Sequence, residues 1–197
     1  MPGPLSLYRR FIASTRGVAA IEFAMILPVL LILLLATFDA GNAIAVYMKV
    51  RAATYILGAI TNQYSTSVPI TAADMTAVTG ATSQVLAPYS GTPAVVISQL
   101  SISAGGKATA TVDWSATLNG TALTKGSSVT LPSTIASSTT TCRVYPCYLI
   151  FAQVSYTYTP VFGYFATGGI TFSDSVYVTP RSSNCIPYVP ITGTTCP

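Results

Sequence analysis

One carboxylate, Glu22, stands just ahead of an apolar run, Ala24 to Phe38, that carries no charge of its own. A carboxylate at the centre of a membrane helix costs about 2.5 to 3.5 kcal/mol on insertion scales, so an acid in such a segment is a functional candidate that needs a partner. The sequence offers an amine. If the chain is cut after Gly17, Val18 acquires a free ammonium group, and Glu22 lies four residues on, along the same helix face. The two charges can then neutralise each other within one chain or between neighbours. A carboxylate in the first turns of a helix also gains about 0.3 to 1 kcal/mol from the helix dipole. The chemistry on offer, if such a cut is made, is charge pairing between the new amine and Glu22.

Little else in the chain is equipped for catalysis. Beyond the apolar run the acids are Asp39, Asp74, Asp113 and Asp174, there is no histidine, and no two acids stand at a spacing that suggests cooperation in proton transfer. Asp113 beside Trp114 reads as a solvent-facing strand residue next to a core aromatic. There is no phosphate-cradling glycine loop, nucleophile elbow or metal motif. No catalytic residue, metal or cofactor is therefore assigned. Cys142, Cys147, Cys185 and Cys196 all follow the apolar run, and four cysteines allow three connectivities. In an oxidising compartment they are disulfide candidates, with Cys142–Cys147 and Cys185–Cys196 closing the shortest loops. Zinc is the alternative. The absence of histidine and the spacings of four and ten intervening residues speak against it.

The elements that hold these residues follow from composition and charge. Charged residues make up 7% of the 197-residue chain, against about 25% in ordinary soluble domains. Arg9, Arg10 and Arg16 precede the apolar run and no acid does, so that end should stay in the cytoplasm and the rest face outward. Lys49 and Arg51, beyond the run, mildly oppose this orientation. From Asp39 onward no basic cluster forms, which leaves no electrostatic footprint for nucleic acid.

Val18 to Phe38 spans about 31 Å as a helix, the thickness of a bilayer core. Pro28 inside it removes one backbone hydrogen bond and should kink or loosen it locally. That is either a soft point for extraction from the membrane or a harmless bend. Helical character should continue to Gln63 on two stripes, one of Ile44, Met48, Arg51, Tyr55 and Ala59, the other of Val46, Val50, Thr54 and Leu57. Such an extension either carries a head outward and meets other chains or packs only on its own head. Ala36, Ala40, Gly41 and Ala45 would permit close helix contact.

Thr71-Ala72-Ala73-Asp74 has the form of a capping box with Asp in place of Glu, opening a helix to about Leu86 before Pro88. After Pro93 the pattern turns to strands: Ala94 to Ser103, Ala108 to Leu118, Tyr148 to Thr159 and Ile170 to Thr179. Gly105-Gly106 reads as a turn, and Asn119-Gly120 as a hairpin that returns through Thr121 to Leu123 and then Val129-Thr130-Leu131. Three regions result: a leader over 1–17, a membrane helix with its extension over 18–64, and a head over 65–197. The fold class is α+β, a long N-terminal membrane-spanning helix followed by a helix packed on an antiparallel sheet of four or five strands.

Arg16-Gly17-Val18-Ala19-Ala20-Ile21-Glu22-Phe23, with Pro28 in the apolar run and Asp39-Ala40-Gly41 closing it, resembles the type IV prepilin signal in the form found in TadE-like pseudopilins of tight-adherence (Flp) pilus systems. The likeness covers about residues 9 to 60. Val154 to Pro160 and Thr179-Pro180-Arg181 also resemble the C-terminal part of those proteins, and the tail after Arg181 matches nothing in them. The resemblance implies processing after Gly17 by a prepilin peptidase, alignment of the subunit through Glu22 and Phe23, residence in the bacterial inner membrane, and partnership with other pilins and the Tad assembly machinery. Without it, two readings stay open: an uncut signal anchor carrying an extracytoplasmic binding module, in which Glu22 marks the membrane edge, and a cleaved secretory signal with Ala43-Ile44-Ala45 as its Ala-x-Ala site.

Overall fold

The computed structural model describes residues 17–104, 108–136, 145–162 and 168–189. Its first element is a single helix, α1, over Val18–Thr61, continuous through Pro28. Branched and straight-chain apolar residues fill its first half on every face, and from Val18 to Leu34 every residue is exposed. In its second half one side becomes core: Val46, Val50, Thr54 and Leu57 are fully buried, whereas Ile44, Met48 and Tyr55 are more than half exposed. Of the two stripes read from the sequence, the head covers the second. Thr54 and Thr61 lie buried without cost because each hydroxyl donates back to a carbonyl one turn earlier, those of Val50 and Leu57. The helix ends at Asn62, whose N–H bonds Gly58 O at 3.0 Å.

The second helix, α2 (Ala72–Leu86), starts on the expected capping box. Asp74 N–H donates to Thr71 Oγ1 at 3.2 Å, and Thr71 N–H to Asp74 Oδ2 at 3.0 Å. The shorter Asp serves as Glu would.

Five antiparallel strands follow: β1 (Ala94–Ile102), β2 (Thr109–Leu118), β3 (Ser128–Thr130), β4 (Cys147–Tyr158) and β5 (Ile170–Val178), in the order β3-β2-β1-β4-β5. A short helix, α3 (Ser133–Ala136), precedes β4. The second half of α1 lies over β4 and β5, with α2 beside it reaching β2. The head is therefore α+β, with two helices on one face of the sheet.

That face holds the larger core, where Val46, Val50, Ala53 and Leu57 of α1 and Val78 and Leu86 of α2 meet Val95, Ile97, Trp114, Ile150, Val154 and Tyr156. A smaller core, of Leu100, Ile102, Val112, Leu131, Leu149 and Phe151, lies on the other face. Val112 and Trp114 are two residues apart on one strand yet face opposite ways. Asp113 is the reason: Gln99 pairs with Trp114 and Leu100 with Val112, so Asp113 is a bulge residue with no partner opposite. It is half-buried, not solvent-facing as the sequence suggested. Burial pushes its carboxyl pKa up, against the pull of hydrogen bonds from Gln99 and Ser101.

One further expectation changes. Asn119 takes a left-handed conformation at φ 54, but Thr121 to Leu123 form no strand. The chain instead returns irregularly, with Leu123 N–H on Ser115 Oγ and Gly126 N–H on Val112 O, before β3 pairs with Thr109 to Thr111. Of the tail after Arg181, which matched nothing in the family, the described residues 182–189 reach the core. Ile186 is fully buried, Trp114 Nε1 donates to its carbonyl, and Ile70 and Tyr188 form a parallel bridge. The Gly105-Gly106 turn lies outside the described residues.

Candidate membrane and assembly segment

Gly17 is the N-cap of α1 at φ −83 and ψ −16, with no side-chain capping bond. Among the described residues a Cβ there would meet nothing within 4 Å, so neither its backbone conformation nor packing against them calls for glycine. Val18, Glu22 and Phe23 follow on the first turns, all exposed. Val18 and Glu22 stand one helical turn apart, the separation needed for a terminal amine to meet a carboxylate. Among the described residues no ion pair reaches Glu22. From Val18 onward the helix is apolar all round, the pattern of a segment surrounded by lipid rather than of an amphipathic surface helix. The leader before Gly17, with Arg9, Arg10 and Arg16, lies outside the described residues.

At the other end of the apolar run, sequence reasoning missed two contacts. The Asp39 carboxylate accepts from Val161 N–H at 3.2 Å and from Phe162 N–H at 3.3 Å, joining α1 to the end of β4. Phe38 meets Phe162 edge-on, with ring centroids 5.9 Å apart. Three turns further, Lys49 Nζ donates to the carbonyls of Val85 and Ala87 and so satisfies the open C-terminal end of α2. Neither contact has a local signal, because the partners are far away in the chain.

The cysteines stand apart from this segment. Cys147 and Cys185 are buried and neither is a free thiol. Cys142 and Cys196 lie outside the described residues. Among the described residues no group of side chains could hold a metal ion.

Among the described residues, fold and segment together give an α+β head joined to one helix long and apolar enough to cross a membrane. The model of the TadE-like protein family matches residues 17–56, from the candidate cut site through the part of α1 that packs on the head. The resemblance read from the sequence is thus shown over that stretch, 17–56 of the 197 residues. No curated protein and no solved structure matches the chain.

Proposed function

We propose that this chain is a minor pseudopilin of a tight-adherence pilus, cut after Gly17 by a prepilin peptidase and held in the bacterial inner membrane by Val18 to Phe38. Residues 1–17 are the cytoplasmic leader, 18–64 the anchor with its extension and 65–197 the extracytoplasmic head. The observation that carries this reading is a family match beginning at Gly17 on an apolar helix that the head leaves uncovered, with one exposed carboxylate in its second turn. A glycine that its own fold does not require is what a peptidase needs for access to the backbone. After the cut, Glu22 pairs with the new Val18 amine of the same or a neighbouring subunit, and Phe23 packs beside it. Pro28 supplies a point of give during extraction into, or priming of, the fibre. Other pilins and the Tad assembly machinery are the partners, and the role is structural. Cys142–Cys147 and Cys185–Cys196 are the disulfides of this reading.

The test is the N-terminal residue of the mature protein taken from its native membrane. A start at Val18 supports the pseudopilin reading, and Gly17→Leu should then block maturation. Glu22→Ala should leave cleavage nearly intact while impairing pili and adhesion. An intact Met1 in membranes that contain active peptidase would sink the reading and favour an uncut anchor carrying a binding module.

A further inference from the structure

We propose that the corner at the end of β4, Val161 and Phe162, is a second contact between this protein and the lipid surface, clamped to α1 by Asp39. The inference rests on the reading that Val18 to Phe38 crosses the bilayer. A helix of that length covers about 31 Å, which puts Phe38 at the outer edge of the hydrocarbon and Asp39 among the headgroups. Phe162 lies edge-on against Phe38 and so stands at the same depth. Val161 is 70% exposed and Phe162 41%, an apolar pair that a water-facing corner has no reason to present.

The clamp explains why the pair cannot withdraw. Asp39 takes one backbone N–H on each carboxylate oxygen, so both residues are fixed to the helix at the point where it leaves the membrane. Charged hydrogen bonds of this kind hold a corner more firmly than neutral ones. Beside it lies a cavity of about 330 Å³, lined by Phe38, Asn42, Tyr89, Tyr156, Tyr158 and Val161. Aromatic rings with polar tips collect at membrane interfaces, where one end is apolar and the other wet. Tyr158 belongs to this lining, although its hydroxyl is itself buried and has no hydrogen-bond partner among the described residues. A single helix leaves a head free to rock and to spin. A second contact fixed at the exit point sets one face of the head against the bilayer.

Tryptophan scanning of the full chain in vesicles of phosphatidylethanolamine and phosphatidylglycerol tests this, with the acyl chains brominated either near the headgroup or deep. The wild type gives the background, since its one tryptophan, Trp114, is fully buried. Val161→Trp should be quenched several-fold more by shallow bromines than Val68→Trp, a similarly exposed valine beyond the far end of α1. Adding Asp39→Ala should abolish that difference while circular dichroism shows the head still folded. Leu30→Trp reports insertion of the helix itself. Strong deep quenching at position 30 with none at 161 would overturn the second contact and leave the anchor intact, whereas no quenching at 30 would remove the membrane reading beneath it. An indole at position 161 that is shielded from both water and bromine, in proportion to protein density, would mean that another copy covers the corner, and would also overturn the proposal.

Discussion

The indole Nε1 of Trp114 donates to the carbonyl of Ile186 at 2.8 Å, and the amide of the same isoleucine donates to Gln99 Oε1 at 2.7 Å. Both backbone groups of one tail residue are thus satisfied by core side chains. Without them a buried peptide unit would be orphaned.

Trp114→Phe should therefore do more than shrink the core. It leaves the Ile186 carbonyl without its donor, a cost of about 1 to 3 kcal/mol before any loss of packing. Denaturation followed by circular dichroism should show that loss. Limited proteolysis should cut the tail near Ile186 sooner than in the wild type. Unchanged protection of the tail would refute this role for the bond from Trp114 to Ile186.

Gly58 lets α1 pack tightly on β5. A Cβ there would stand 3.1 Å from Val176 Cγ1 and 3.1 Å from Val178 Cγ2. Alanine asks β5 to give a few tenths of an ångström, and it gains about 1 kcal/mol of helix propensity in return. Gly58→Ala should be close to neutral, while Gly58→Leu should overpack the seam at a cost of about 1 to 3 kcal/mol. Thermal melts of the two variants, read side by side, check the sign and the order.

Lys49→Met keeps the apolar stem but removes the donors at the end of α2. The carbonyls of Val85 and Ala87 then rely on water. Destabilisation of about 1 kcal/mol is expected, with faster amide exchange over the last turn of α2 as its specific mark.

Two acids should bend the stability profile in opposite directions. Hydrogen bonds from the side chain and backbone of Thr71 lower the Asp74 pKa, so its contribution is present above the ordinary carboxylate value and fades as pH falls through the lowered one. Asp113 is raised by burial, so its charge opposes folding at neutral pH, and that opposition disappears as pH falls through the raised value. Asp113→Asn should raise the melting temperature at pH 7 and flatten the profile between there and pH 4. Asp74→Asn should lower it at pH 7 and flatten the acid limb. The same slope in wild type and both variants would refute the assignment.

What the sequence made legible was what is local. The capping box at Thr71 and Asp74 needs only a spacing of three, and β1, β4 and β5 announce themselves by branched residues and alternation. The membrane segment and Glu22 stood out because a charge beside a long apolar run is conspicuous. The bulge at Asp113 was hidden, since Ala110, Val112, Trp114 and Ala116 keep one unbroken alternation. Only the count on the opposing strand, Gln99 against Leu100, shows that the faces exchange. The irregular return through Leu123 depends on a hydroxyl of Ser115, and the place of Ile186 on an indole far upstream. Contacts between distant parts of the chain leave no periodicity to read.

Because Val46, Val50, Ala53 and Leu57 belong to the same helix as the uncovered apolar run, a force applied along α1 beyond Pro28 reaches the centre of the head through one unbroken rod. Pulling would load the seam against β4 and β5 in shear, with many contacts sharing the strain at once. The head would travel with its helix as one rigid piece of cargo, and a fragment starting after Thr61 would expose the floor of its own core.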